Sequence, residues 1–117
     1  MHHMLYKFKS KNTGDLIMLQ PNGRRVLEII GKIAPQDNAD AGVKGIILPD
    51  QMAAAVTALE AAIVKEEAEQ AAAKAQALAR NEAVPRFEVI SLRQRTLPFI
   101  TMLQRCEQKG NEIVWGV

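Results

Sequence analysis

Residues 4–19, MLYKFKSKNTGDLIML, decide the fold. Apolar side chains alternate with lysines over residues 4–9, and this period of two predicts a half-buried β-strand. Residues 10–14 have the composition of a turn, with a glycine available for a positive φ. A second apolar run follows at residues 15–19. Together the two runs predict an antiparallel β-hairpin with a short loop.

The hairpin is followed by a short predicted helix. Asn22 is expected to cap a helix that begins near Gly23, and Gly31 is expected to end it. Residues 34–44 contain proline, glycine and acidic residues without apolar periodicity, which predicts an exposed loop. Residues 45–48 are interpreted as the segment that leads into the next helix.

A long helix is predicted from Pro49, because proline suits the first helical position. Apolar residues recur at helical spacing over residues 52–63, which indicates an amphipathic helix. Residues 65–86 are rich in alanine and leave three interpretations open. The helix continues to about Arg80 as a solvated extension, the stretch is a linker, or its alanines pack closely against a partner or a second copy.

A last helix and a last strand complete the pattern. Ser91 and Gln94 have the spacing of a capping box. Pro98 lies inside the apolar stripe that follows, so the helix is either kinked at Pro98 or begins near Thr96. A single kinked helix is preferred because the capping box is in phase with the stripe. Residues 113–117 alternate and predict a strand.

These elements predict an α+β fold in one domain spanning residues 1–117. The expected sheet has three strands, the N-terminal hairpin and the C-terminal strand, with the first strand in the centre. About three helices are expected to cover one face of it. Residues 1–3 are expected to be a tag remnant or a frayed terminus, with Met4 as the native start.

Composition excludes several classes of protein. The chain has 117 residues, a net charge of +2 and a single cysteine, Cys106. One cysteine cannot form an internal disulfide, which favours a reducing compartment. The chain lacks a signal-peptide pattern and an apolar run of about 20 residues, so we expect a cytoplasmic protein without a membrane partner. The small net charge makes nucleic acid an improbable partner.

Common catalytic and cofactor centres also lack their residues. The two histidines, His2 and His3, stand at the start of the chain. A nucleophilic Ser–His or Cys–His centre needs a histidine that the fold holds in place. One cysteine and two adjacent histidines do not supply a zinc site, and no phosphate-binding glycine loop is present. We therefore expect no catalytic residue, no metal and no cofactor, and we expect Cys106 to be a core residue.

Six polar residues remain as candidates for binding. Two interpretations are open: the arginines contact an anion or phosphate, or they cover apolar surface and pair with acids such as Glu28, Glu88 or Glu107. The second interpretation is preferred. The six candidates are Arg24, Arg25, Ser91, Arg93, Gln94 and Arg95.

Four sequence blocks together carry a family resemblance. They are MLYKFKSKNTGDLIML with the following PNG, GIILPDQM, SLRQR with LPFI, and IVWGV. In combination they resemble a small bacterial family catalogued as a domain of unknown function, number eighteen-forty. The resemblance covers residues 4–117, with residues 37–43 and the alanine-rich stretch as its variable parts. It implies a bacterial cytoplasmic domain and brings no established activity, cofactor or active site.

The absence of a catalytic centre favours a noncatalytic protein-interaction or regulatory module, with an unknown protein partner or with self-association. One alternative is weak binding of nucleic acid or anions through the arginines, which requires them to converge on one face. Another alternative is an enzyme that uses arginines and carboxylates, with Asp15, Glu88 and Glu112 as candidates.

Overall fold

A computed structural model describes residues 5–11, 13–38, 42–87 and 90–116. These residues form four strands and three α-helices. In chain order they are β1 (Leu5–Ser10), β2 (Thr13–Leu19), α1 (Gln20–Ile29), β3 (Gly45–Ile47), α2 (Met52–Ala79), α3 (Leu92–Lys109) and β4 (Ile113–Trp115). A 3-10 turn, Pro49–Gln51, leads directly into α2. His2, His3 and Met4 lie outside the described residues.

The strands form one antiparallel sheet in the order β2-β1-β4-β3. The hairpin and the pairing of the first strand with the C-terminal strand are confirmed. The expectation of three strands was wrong, because β3 pairs with β4 as a fourth strand. β3 has only three residues and begins with glycine, so it is too short to show the alternation that marks a strand. Residues 45–48, interpreted as a lead-in to the helix, therefore contain an edge strand.

Trp115 holds this fourth strand in place. Gly45 lies opposite Trp115 in the register, and a β-carbon at Gly45 would collide with the indole ring. The indole Nε1 donates a hydrogen bond to the carbonyl oxygen of Gly42 at 2.8 Å. Trp115 is 1% exposed. The tight β3–β4 contact therefore depends on a glycine on one strand and a buried indole on the other.

Three helices accompany the sheet, as predicted, and of these α1 and α3 contact its strands directly while α2 packs mainly against α3 and α1. The inward side chains Tyr6, Phe8 and Trp115 are buried. Phe8 lies at the centre of an aromatic cluster, with ring centroids 4.8 Å from Phe99 on α3 and 5.6 Å from Trp115. The opposite face of the sheet faces solvent, an arrangement that antiparallel sheets tolerate.

α1 begins earlier than the sequence predicted. It starts at Gln20 directly after β2, with Leu19 at the N-cap and proline in the first turn. Asn22 is therefore inside the helix and is not its cap, because the fixed φ of the preceding proline already fits a first turn. At the other end Gly31 adopts a φ of 85°, which is the left-handed conformation that ends a helix.

α2 extends beyond the sheet. Its 28 residues correspond to a length of about 42 Å, and the helix ends with Arg80 at the C-cap. The radius of gyration is 16.2 Å, against roughly 13 Å for a compact domain of this length. The alanine-rich residues 65–79 are thus helical. Among the described residues, no helix is long and apolar enough to cross a bilayer.

α3 is one helix with Pro98 in its interior, so the single-helix prediction is confirmed. Its apolar stripe is buried, including Phe99 and Leu103, and this packing offsets the backbone hydrogen bond that a proline removes. The buried hydroxyl of Thr96 donates to the carbonyl oxygen of Leu92 at 2.8 Å. Cys106 is 1% exposed, which confirms its predicted place in the core.

We expect Gly45→Ala to destabilise the protein, because the added methyl group would displace the fully packed indole of Trp115. Overpacking of this kind costs roughly 1–3 kcal/mol. The matched control is Gly14→Ala, another strand glycine, around which there is open space. Urea denaturation followed by circular dichroism should show a lower midpoint for the first variant alone. Equal midpoints for the two variants would contradict this view of β3.

Candidate functional site

The six predicted binding residues are held by contacts within the chain, beginning with Arg24 on α1. Its guanidinium donates to the carboxylate of Glu28 at 3.0 Å and to the carbonyl oxygens of Asp37 and Asn38 at 2.6 and 2.9 Å. The expected pairing with Glu28 is confirmed. These contacts hold the loop after α1 against the helix, so the role of Arg24 is structural.

Arg25 and Arg93 bind two neighbouring acids in the middle of α2. Arg25 on α1 contacts Glu66 at 3.3 Å. Arg93 on α3 donates from two nitrogens to both oxygens of Glu67, each at 2.9 Å. We name this group of four side chains the Glu66–Glu67 junction, because it connects α1, α2 and α3. The sequence did not reveal it, since its members are 26 and 41 residues apart along the chain.

The first turn of α3 joins the same junction. Ser91 Oγ accepts the backbone N–H of Gln94, and Gln94 Oε1 accepts the backbone N–H of Ser91, both at 3.1 Å. The predicted capping box is thereby confirmed. Glu66 also accepts the backbone N–H of Leu92 at 2.9 Å, which places a carboxylate at the positive end of the helix dipole. Ser91 and Gln94 thus satisfy backbone groups of their own helix.

The guanidinium of Arg95 is directed back to the residue before the cap. Its Nε donates to the carbonyl oxygen of Ile90 at 3.3 Å. The structure therefore brings Arg25, Ser91, Arg93 and Gln94 together at the junction, while Arg24 faces the loop after α1. The expected partner Glu88 lies outside the described residues.

Charge at the junction is balanced. Hydrogen bonds from Arg93 lower the pKa of Glu67, and the same contact raises the pKa of Arg93. An anionic ligand at Arg93 would have to displace a bidentate carboxylate, which is among the stronger pairings available to an arginine. The geometry supports the preferred interpretation, in which the arginines pair with acids, although Glu66 and Glu67 were not among the expected partners.

Open grooves lie near the two ends of α2. One, of about 420 Å³, lies between the end of α1 and the start of α2 and has Asp50 as its acid. The other, of about 260 Å³, lies at the end of α2 and has Glu82 as its acid. Neither groove pairs two carboxylates, and no cluster that could hold a metal occurs among the described residues. Asp15 pairs with Lys7 at 3.6 Å instead.

Several large apolar side chains of the described residues are exposed. Besides Leu48 and the group Val84, Phe87, Ile90 and Leu97 before and in α3, they lie on two surfaces. The first is the outer face of the sheet, with Leu5, Ile17, Leu19 and Ile46 between 42% and 64% exposed. The second is the side of α2 turned away from the core, which includes Val64 and Leu78, each 62% exposed.

The exposed side of α2 has the regular spacing of a coiled-coil seam. Seven positions recur at alternating steps of four and three residues, and every one of them is exposed. This is the 3.5-residue period at which one helix meets another helix. We name these positions the α2 seam: Thr57, Ala61, Val64, Ala68, Ala71, Ala75 and Leu78. The alternating steps of four and three residues are present in the sequence, but the larger apolar residues of the core stripe in the same helix form the stronger pattern.

The fold and these surfaces define a small α+β domain with a helical arm and an exposed seam on that arm. The chain belongs to the family described as Domain of unknown function (DUF1840), whose profile matches residues 4–115. The family resemblance noted from the sequence blocks is thereby confirmed. Searches of curated proteins and of solved structures each gave no match.

We expect Glu66→Ala to destabilise the protein more than Glu67→Ala does. Glu66 is the half-buried member and binds both a backbone N–H of α3 and Arg25, and losing a helix cap costs about 1 kcal/mol. Glu67 makes an exposed bidentate ion pair with Arg93 but binds no backbone group, and exposed pairs contribute at most about 1 kcal/mol. Urea denaturation of the two variants measures the difference. An equal decrease in the free energy of unfolding of both variants would show that the contact of Glu66 with α3 does not add to stability.

The Glu67 carboxyl should titrate below the ordinary range of a glutamate, because Arg93 stabilises its charged form. A lowered pKa in the folded state stabilises the fold above the unfolded pKa, and that contribution is lost as the pH falls through the folded pKa. Carbon-13 NMR of the side-chain carboxyl gives the midpoint. In Arg93→Gln the midpoint should rise to that of an unpaired glutamate, and an unchanged midpoint would rule out the pairing as its cause.

Proposed function

We propose that this protein is a noncatalytic protein-interaction module of the bacterial cytoplasm, which binds another protein chain through the α2 seam. The observation that carries the proposal is that all seven seam positions are exposed and none of them carries a charged side chain. The solvated face of a helix is typically charged or polar, whereas a face that packs against another helix is not. The cytoplasmic assignment rests on the reducing compartment that a single cysteine favours.

Burial along α2 supports this proposal. The first half of the helix is anchored by large side chains such as Met52, Leu59 and Ile63. Over residues 64–79, the described part of the chain buries only Ala77. The second half of α2 therefore contributes little to the core of its own chain. Covering the exposed parts of Val64 and Leu78 would contribute roughly 1–2 kcal/mol each.

The Glu66–Glu67 junction gives the seam a fixed position. It ties the middle of α2 to α1 and α3 through carboxylate contacts of 2.9–3.3 Å. A surface that is already ordered loses less entropy when it binds, which strengthens binding at the same contact area. The predicted arginines thus support an interaction surface that they do not themselves form.

The nucleic-acid alternative has less support. It requires four arginines that converge on one face and are available to phosphates. Arg24, Arg25 and Arg93 each contact a carboxylate of their own chain. These acids offset the positive charge that a nucleic acid would need. A protein partner requires no excess of either charge, because an apolar seam with mixed flanking charges suits another helix.

Site-specific photo-cross-linking in living cells tests the proposed function. A benzophenone side chain is placed at Ala68 in the seam or, as the control, at Ala53, which is exposed on the first turn of the same helix. We expect covalent adducts to another protein chain from position 68 and few from position 53. The adduct from position 68 should disappear when Ala71→Glu is added. Equal adducts from both positions, or none from either, would contradict the proposal.

A further inference from the structure

We propose that the chain that covers the α2 seam is a second copy of this protein, with the two α2 helices antiparallel and Ala68 of each opposite Ala71 of the other. This inference rests on the proposed function and names its partner. It requires a two-fold symmetric contact, in which the same surface of both copies meets itself. Size, charge and length of the seam argue for it independently.

Side-chain size fits this register along the whole seam. Placing Ala68 opposite Ala71 of the second copy puts Val64 opposite Ala75, and Leu78 opposite Ala61. Each large side chain then meets an alanine, and two alanine pairs lie at the symmetry axis. Knobs that alternate large with small across the contact fill space without voids. The paired segment, residues 61–78, is about 27 Å long.

Charges beside the seam fit the same register. Glu67 and Lys74 are seven residues apart and therefore flank the seam on the same side. In the antiparallel pair Glu67 of one copy lies beside Lys74 of the other, so the symmetry creates two such contacts. Lys74 makes no ion pair with any residue that the structure describes. The Glu67 carboxylate has oxygen lone pairs beyond those that Arg93 occupies.

Other arrangements of two copies fit less well. A parallel pair in register would place Val64 on Val64 and Leu78 on Leu78 with only alanines between, so the required helix separation would change along the seam. An antiparallel pair shifted by one heptad would place Glu67 near Glu67 and Lys65 near Lys65. Like charges at such positions are destabilising. The register proposed above avoids both faults.

The area of this contact sets the expected strength. Four of the six paired positions in residues 61–78 are alanines, which bury little surface each, so the interface falls at the low end of specific interfaces, below roughly 1,200 Å². We therefore expect a dimer that forms at micromolar and not nanomolar concentration.

Sedimentation equilibrium of the purified protein, over about a hundredfold range of concentration, tests the association. We expect a monomer–dimer equilibrium. Ala68→Glu should raise the dissociation constant about tenfold or more, because it places two carboxylates at the symmetry axis. Ala53→Glu adds the same charge to the same helix outside the paired segment and should leave the dissociation constant within about twofold. Circular dichroism confirms that both variants are folded.

Cysteine cross-linking tests the orientation. The variants Ala61→Cys and Leu78→Cys are oxidised separately and as an equimolar mixture. In the antiparallel pair position 61 meets position 78 of the other copy, while the two 61 positions are about 25 Å apart, too far for a disulfide. The mixture alone should therefore give a disulfide-linked dimer. Native Cys106 is 1% exposed, and the unmodified chain under the same oxidant controls for it.

Each outcome decides between the proposals. Disulfide-linked dimers from either variant alone would overturn the antiparallel register in favour of a parallel pair. A purified chain that stays monomeric, combined with photo-cross-links from position 68 to a different protein, would overturn self-pairing and leave the proposed function standing. A monomeric chain with no cross-links from position 68 would overturn both.

Discussion

The α2 helix is longer than the hydrophobic core that it helps to form, and the other features of the structure depend on this difference. The large apolar residues that bury α2 in the core end at Ile63, yet the helix continues to Ala79. Alanine makes this continuation inexpensive, because it has the highest intrinsic helix propensity and no side-chain entropy to lose. A domain with a small sheet thus carries a helical arm whose outer face belongs to no core of its own chain.

The Glu66–Glu67 junction lies where this arm leaves the body. Two adjacent acids receive Arg25 from α1, and Arg93 and a backbone N–H from α3. Exposed ion pairs contribute little stability individually. Here their geometric effect is larger, because they fix the direction of α2 relative to the other helices. The polar residues that the sequence singled out therefore position a surface, and that surface is apolar.

Much of the fold could be predicted from local pattern. The hairpin at residues 5–19, the capping box at Ser91 and the buried stripe of α3 each follow from spacing that one segment carries alone. The fourth strand could not be predicted in this way, because its three residues become a strand only by pairing with β4. The start of α1 was misplaced for a local reason. Pro21 itself fits the first turn of a helix, so the helix begins at Gln20 and Asn22 lies inside it.

The contacts of the candidate site are likewise of two kinds, those within one segment and those between distant segments. The pairing of Arg24 with Glu28 spans one helical turn and was predictable. The contacts of Arg25 and Arg93 with α2 join distant segments, so they could not be predicted without knowing how the helices pack. The α2 seam, in contrast, is local, and its alternating steps of four and three residues are present in the sequence itself.

Native-state hydrogen exchange at several protein concentrations tests most directly whether the arm of α2 is completed by a second copy of this protein. Amides of the buried half, residues 52–63, should be protected equally at all concentrations, because the core of one chain holds them. Amides of residues 65–79 should become more protected as the concentration rises, because pairing removes their local opening. Protection of residues 65–79 that does not change with concentration would contradict this account.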